Sequence, residues 1–489
     1  MRRVVLGLIA AAAVAGIPAC TAGDDCDFGL CAGATTSGGD GGGDGSTVDP
    51  PKDCDPNADP KDAPNCVVDA YGVFVSPSGD DSQAGTSKAP VKTISKALDL
   101  ANHNRLPRVY VCEGTYTENI STSYVVSIYG GFACTDFSSN GSKATIRPPK
   151  GIAVTVRDVQ APGITLSDLD ALGVAEMSTP GDPAIGLLVA NSTLTVKRSN
   201  VASGNGAPGR PGTTHSNWTG VAATGVNASG ATGGAAPTCD PCGDGKTQSG
   251  GGAGGPNSGQ PGDGTATPAV GESNAGANST SACLPGTAGA NGRGDGTPGA
   301  GATTSGSLTA NGWEKGAEAQ RGGIGNPGQG GGGGGSRSSI SSGGGSGGCG
   351  GCGGGGGTGG GNGGPSFALA SFDSDVTLVD SKLTSGNGGD GGDGGTGQNG
   401  QEGANGGAGA CAGGFGGHGA GGSGGGGGAG GPAAAIAYTK AGPKRTSMTL
   451  TSGQPGKGGK AGPAGAGLGN KGSEGVVGPI GQGGDLLQF

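Results

Sequence analysis

Aromatic residues are scarce in this 489-residue chain: eight Phe, six Tyr and two Trp, or 3% of the total. Charged residues make up only 13%, and histidine and methionine number three each. So small a stock of large apolar side chains excludes three or four globular domains, each with its own core. The net charge of −9 argues against nucleic acid or an anionic membrane as electrostatic partners. His103, His215 and His418 lie in unrelated contexts, and they give no basis for a histidine-centred catalytic set.

What is abundant is glycine, 123 residues or about a quarter of the chain. At that level without a strict period throughout, it implies low-complexity mass beside a small core. The core announces itself by self-similarity. Pro183–Gly206 (PAIGLLVANSTLTVKRSNVASGNG) returns without a gap at Pro365–Gly388 (PSFALASFDSDVTLVDSKLTSGNG). Ile185, Leu187, Leu194, Val196 and Val201 become Phe367, Leu369, Val376, Leu378 and Leu383, and a looser third copy starts at Pro432. Copies separated by long insertions mark stacked units with swollen loops. Alternation puts Leu194 and Val196 on one face with Thr193, Thr195 and Lys197 on the other, a pattern that suits a packed lumen and a solvated outside. One such turn cannot bury its apolar face alone, so the copies must stack.

The first twenty residues read as an export signal: Arg2 and Arg3, an apolar run from Val4 to Ala15, then Ile17-Pro-Ala-Cys20. That ending resembles the bacterial lipobox, in which the Cys is lipidated and becomes the mature N-terminus; Pro18 departs from the commonest pattern. The resemblance implies a membrane partner reached through a lipid anchor on Cys20. Twelve cysteines remain, an even number that suits an oxidising compartment. Local disulfides are expected for Cys26 with Cys31, Cys54 with Cys66 and Cys112 with Cys134. The connectivity of Cys239, Cys242, Cys283, Cys349, Cys352 and Cys411 stays open.

Beyond a tether predicted to be disordered and acidic (21–69), a strand at Val73–Ser76 leads to an amphipathic helix over Thr93–Asn102 with Thr93 as its N-cap. Strands follow at Arg108–Val111 and Tyr124–Tyr129. Short β-branched runs come next at 144–147, 152–156, 164–169, 185–189 and 194–196. The order VFVSPSGDD, APVKTISKALDLA, VYVCEGTYTENI, VVSIYGGF is similar to the start of right-handed parallel β-helix domains of the pectin-lyase-like superfamily. The resemblance implies an all-β, right-handed parallel β-helix whose open end is capped by the N-terminal helix. The expected organisation is a signal peptide (1–20), tether (21–69), N-terminal part of the β-helix (70–206), Gly-rich insertion (207–364), rung (365–388), second insertion with period-three glycines (389–431), rung (432–453) and Gly-rich tail (454–489).

In the second insertion glycine falls every third residue from Gly388 to Gly409. Period three is that of a left-handed extended helix, and the near absence of proline there argues against collagen. Two readings remain: flexible loops, expected for most of 207–350, or extended glycine strands packed through backbone hydrogen bonds. These segments also resemble Gly-rich (PGRS-type) repeat proteins of bacterial surfaces.

Chemical motifs are weak. Gly245-Lys-Thr247 lacks the glycine and the preceding strand of a phosphate loop. The Gly-x-Ser-x-Gly matches around Ser346 and Ser423 are glycine runs with no strand before them. Cys239-x-x-Cys242 and Cys349-x-x-Cys352 could form a zinc site, although disulfides suit an exported chain better. Asp55, Asn57 and Asp59 begin like a calcium loop, but Pro60 stands where glycine is required, so a solvated acidic loop is expected. Arg293-Gly-Asp295 reads as coincidence. β-Helix enzymes of the group named above use clustered carboxylates and basic residues on the coil's outer face. The positions available here are Arg157, Asp158, Asp168, Asp170 and Arg198, with Asp168 and Asp170 expected on one side of a strand. No catalytic residue, cofactor or metal is assigned. The leading expectation is a noncatalytic, lipid-anchored envelope protein displaying Gly-rich loops, with envelope polysaccharide or matrix as a further partner class. The alternative is a β-helix that binds or degrades polysaccharide.

Overall fold

The computed structural model describes residues 48–240, 242, 249–255, 283–294, 296–337 and 342–489. The export signal, Cys20, Cys26, Cys31, the first part of the tether, Gly245-Lys-Thr247 and Asp295 lie outside the described residues.

The chain opens with β1 (Gly72–Val75) and the helix α1 (Ile94–His103). Three coils follow: β2 (Arg108–Cys112), β3 (Gly114–Tyr116) and β4 (Ile120–Thr122); β5 (Ser127–Phe132), β6 (Ala144–Ile146) and β7 (Val154–Arg157); β8 (Ile164–Ser167), β9 (Leu169–Gly173) and β10 (Ala184–Ala190). The next begins with β11 (Thr193–Lys197) and β12 (Asn200–Ser203), passes through a hairpin, β13 (Gly306–Thr309) and β14 (Gly312–Lys315), and closes with β15 (Ser366–Phe372). β16 (Asp375–Val379), β17 (Lys382–Thr384) and β18 (Ala433–Tyr438) form the next, and β19 (Lys444–Thr446), β20 (Thr449–Thr451) and β21 (Gly483–Gln488) the last. Hairpin apart, these strands stack into three parallel sheets, ordered β1-β2-β5-β8-β11-β16-β19, β3-β6-β9-β12-β17-β20 and β4-β7-β10-β15-β18-β21. The fold is a parallel β-helix.

The copies seen in the sequence are its rungs. Leu194 stands opposite Val376, Val196 opposite Leu378, Val201 opposite Leu383 and Leu187 opposite Leu369. These aliphatic ladders fill one lumen, which continues through Ile164 and Leu166 to Ile128 and Val109. The four buried apolar residues of α1, Ile94, Ala97, Leu98 and Ala101, join that cluster at its start. Thr93 caps the helix by accepting from the Lys96 N–H, and the Glu118 carboxylate accepts from Ile94 and Ser95 N–H, satisfying donors that a helix start leaves unpaired.

Coils turn at two recurrent corners. Asp158, Asn191 and Asp373 hold φ between 44° and 57° at the first, and Asp168, Arg198, Asp380 and Ser447 between 44° and 57° at the second. Asp and Asn tolerate this left-handed region better than other non-glycine residues. A serine follows several of them and locks the corner. Ser192 Oγ donates to Ala190 O and accepts from Val159 N–H, while Ser374 Oγ accepts from Ser192 N–H. Ser199 and Ser381 repeat the arrangement at the second corner.

Several expectations are corrected. The strand expected at Tyr124–Tyr129 runs over Ser127–Phe132, glycines included, because Gly130 passes the backbone of Asp168 too closely for a side chain: a Cβ would stand 2.2 Å from its carbonyl oxygen. The outside is not uniformly solvated. β10 is buried along its whole length, since Trp313 and Leu308 of the hairpin, with Phe489, cover Ile185, Leu188 and Phe367. From residue 48 the expected disordered tether is an ordered loop, closed by Cys54–Cys66 and packed through Cys66 and Tyr71. The tail returns to the coil, where β21 pairs with β18.

The largest correction concerns glycine. All the long insertions (204–365, 385–432 and 452–482) leave between the second and third strand of successive coils. The β13–β14 hairpin apart, their hydrogen-bonded glycine-rich parts are packed extended legs rather than loops. Gly388, Gly391, Gly394, Gly397 and Gly400 donate to Gln454, Lys457, Lys460, Pro463 and Ala466, at 2.8–2.9 Å. On a second side Gly389, Gly392 and Gly395 donate to Gly364, Gly361 and Thr358, and they accept in turn from Gly431, Gly428 and Gly425. Bonding that repeats every third residue matches a left-handed threefold helix, which makes no internal hydrogen bonds and directs its N–H and C=O groups outward. The legs approach too closely for side chains: a Cβ on Gly360 would lie 1.9 Å from the oxygen of Gly392. Cys239–Cys349, Cys242–Cys352 and Cys283–Cys411 cross-link the bundle. Buried Asn362 ties in the hairpin, donating to Gly316 and Ala317 oxygens and accepting from Ala429 N–H.

Gly360→Ala is therefore expected to cost about 1–3 kcal/mol by forcing two legs apart, whereas Glu402→Ala, on the exposed side of a leg, should stay within about 0.5 kcal/mol. Chemical denaturation of both variants checks this; equal stabilities would contradict the packing.

Candidate functional site

Of the five sequence-selected outer-face residues, the structure gathers Asp168 and Arg198 in one place and Arg157 and Asp158 in another. Asp168 sits on the corner between β8 and β9, so the strand alternation expected to align it with Asp170 breaks there. Asp170 lies along β9, opposite Asn200.

At the second corner Arg198 forks onto Asp168, with Nε to Oδ1 at 2.9 Å and Nη2 to Oδ2 at 2.7 Å, and Nη2 also reaches Ser167 Oγ. Asp59 of the N-terminal loop then bridges Arg198 Nη1 at 2.8 Å and Lys197 Nζ at 3.1 Å. The solvated acidic loop is found at Asp55 and Asn57, which are exposed, but not at Asp59, whose side chain is only 12% exposed. Burial alone would raise its carboxyl pKa, but the hydrogen bonds and charges of Arg198 and Lys197 outweigh it and hold the value below 3.8. Hydrogen bonds to Asp168 keep the Arg198 guanidinium above its ordinary value despite burial. Each charge has its partner, so this network is a clamp. Nearby, Arg108 lies between the Tyr71 and Tyr129 rings and donates to Pro56 and Ala58 oxygens, fixing the same loop. Tyr110 OH donates to Cys66 O.

The other pair lines an open groove of about 470 Å³ between α1 and the coil wall. Ser95 and Asp99 come from the helix, Ser121 to Tyr124 from β4 and the turn after it, and Arg157 and Asp158 from the end of β7. Tyr124 OH donates to Asp99 Oδ1 at 3.3 Å, Asn191 Nδ2 donates to Asp158 Oδ1 at 3.1 Å, and Arg157 Nη1 donates to Asn311 Oδ1 at 2.6 Å. Carboxylates, hydroxyls and an aromatic edge around an open cleft can exchange hydrogen bonds with a polyhydroxylated ligand. Sequence reasoning missed this groove, because its three contributors lie up to 63 positions apart and meet only through coil stacking. The one available signal was the short Ser-Thr-Ser-Tyr run after Ile120.

Other candidates resolve into structure. The four cysteines considered for zinc are paired in disulfides, which leaves no thiolate set. Cys112–Cys134 joins two successive coils. Among the described residues no group of three or more His, Cys, Asp or Glu is placed to hold a metal. His215 meets Arg321 Nη2 at 2.9 Å, His418 Nδ1 accepts from Gly403 N–H, and His103 ends α1. Ser346 and Ser423 are buried in the glycine bundle.

A family model described as a protein of unknown function, DUF1565, matches residues 77–155. No curated protein matches the chain. Among solved structures it is similar to the crystal structure of a GH136 lacto-N-biosidase from Eubacterium ramulus, with 18% identity, a TM-score of 0.19 and 27% of each chain covered. It is also similar to a rhamnogalacturonan lyase, with 16% identity, a TM-score of 0.21, and 28% of this chain and 37% of that one covered. The chain thus spans well under half of either protein.

The Asp59 clamp predicts a pH effect. Because its carboxyl titrates lower when folded, its stabilisation is full above the ordinary value of 3.8 and is lost as the pH falls through the depressed value. Asp59→Asn should lower stability at neutral pH by about 1–2 kcal/mol and flatten that acid limb. Melting curves from pH 7 to 2 test it; an unchanged acid limb would show that Asp59 is not the group responsible.

Proposed function

We propose that the chain is a noncatalytic, lipid-anchored protein of a bacterial cell envelope, in which the β-helix holds out the glycine bundle for surface structure or adhesion. One observation carries this reading. All the long insertions leave the coil at the same corner, and their legs bond to one another in step with the rungs. Such an arrangement makes a stiff projecting body, in which Asp390, Asp393 and Asn399 recur every third residue or multiple of three along one leg and accept backbone N–H groups of Lys457, Lys460 and Ala466 on the next. Two of the three carboxylates considered for catalysis are engaged: Asp168 with Arg198, Asp158 with Asn191. Cys20 supplies the anchor, and an acylated cysteine holds a soluble domain firmly when more than one chain is attached.

The groove beside α1 favours a second reading, a β-helix that binds or degrades polysaccharide. Two experiments separate the possibilities. Cys20→Ser should move the protein from membrane to soluble fractions, and persistence in the membrane would contradict the anchor. The purified mature chain should leave uronate-rich and cell-wall polysaccharides intact; specific turnover would contradict the noncatalytic reading and favour the second.

A further inference from the structure

The last coil is unlike the rest of the molecule in charge and in surface. Residues 432–489 carry six cations (Lys440, Lys444, Arg445, Lys457, Lys460 and Lys471) against Glu474 and Asp485, a net +4 in a chain of −9. All six cations are exposed, and among the described residues none forms a salt bridge. The same coil exposes large aliphatic side chains: Ile480 is 71% exposed, Leu468 66% and Val477 65%. Among the described residues β19, β20 and β21 are each paired on one side.

Cations and aliphatics are interleaved on neighbouring legs. Gly475, Gly478 and Gly481 donate to Gly462, Gly459 and Gly456, all at 2.9 Å. In that antiparallel register Ile480 runs beside Lys457 and Val477 beside Lys460. Exposed apolar patches mark contact surfaces, and a soluble polyanion would draw on the lysines alone. A symmetric pairing with a second copy would set Lys457 and Lys460 against the same cations. A surface presenting both anionic head groups and an apolar layer beneath them satisfies both residue types. We infer that the terminal coil is a docking face for an anionic lipid surface, with Lys457 and Lys460 on the head groups and Val477 and Ile480 entering the interface. The acids nearest this leg, Asp390 and Asp393, accept from the Lys457 and Lys460 N–H groups respectively, and charges more than about 8 Å from the membrane are largely screened at physiological salt. The inference is independent of the anchor at Cys20.

The test uses the full mature chain carrying Cys20→Ser, sedimented with vesicles of phosphatidylglycerol and phosphatidylcholine or of phosphatidylcholine alone. Binding to the anionic vesicles only, weakening as salt rises, is expected. Lys457→Glu with Lys460→Glu should weaken it by about tenfold or more. Val477→Ser with Ile480→Ser should also weaken it while leaving the melting temperature unchanged. Equal binding to both vesicle types, no binding, or undiminished binding by either double variant would overturn the inference. So would retention on polygalacturonate in preference to vesicles, or dimers that the lysine variants abolish.

Discussion

A backbone N–H buried away from water must find an acceptor, and this constraint organises most of the molecule. In the coil each rung meets it through parallel strand ladders. In the glycine legs it is met without strands, because a threefold extended leg turns its donors and acceptors outward to its neighbours. The second solution works only where side chains are absent. A Cβ at the inner positions would stand about 2 Å from a neighbouring carbonyl, as at Gly392 against Arg210. High glycine content, the usual mark of chains that cannot order themselves, is here the condition for packing. The coil makes this possible by delivering the legs side by side from one corner, so that the ordering cost of glycine is offset across many legs at once.

The coil in turn depends on its ends and corners. Left-handed residues followed by serine turn the chain at fixed points, and their hydroxyls pass hydrogen bonds from rung to rung across sequence separations as large as 182. At the start, α1 closes against the lumen aliphatics, while the Cys54–Cys66 loop covers the aromatic outer face through Arg108 and the Asp59 clamp. Among the described residues no such loop or helix covers the last coil, and it is there that exposed cations and aliphatics gather.

Much of the scaffold was legible in sequence because its rungs repeat without gaps: the residues aligned between Pro183 and Pro365 are the residues that pair across β10–β12 and β15–β17. The helix was legible through its spacing and Thr93. The glycine packing was half legible. Period three named the right backbone geometry, but nothing local says whether such a leg has neighbours, and the partners of Gly389 lie 25 and 42 positions away. Asp59 misled for the same reason, since its acidic surroundings suggested solvent while Lys197 and Arg198 lie some 140 residues on. The groove has contributors from three separate elements and no shared motif. The hairpin carrying Trp313 was hidden inside a segment whose composition suggested disorder.

Amide hydrogen exchange along the glycine legs tests the account most directly, because it reads the backbone hydrogen bonds themselves. Residues 345–364, 389–401 and 413–431 are expected to be protected to a degree comparable with the strands of the coil. Exchange of these legs at the rate of an unstructured chain, with the coil still protected, would contradict it.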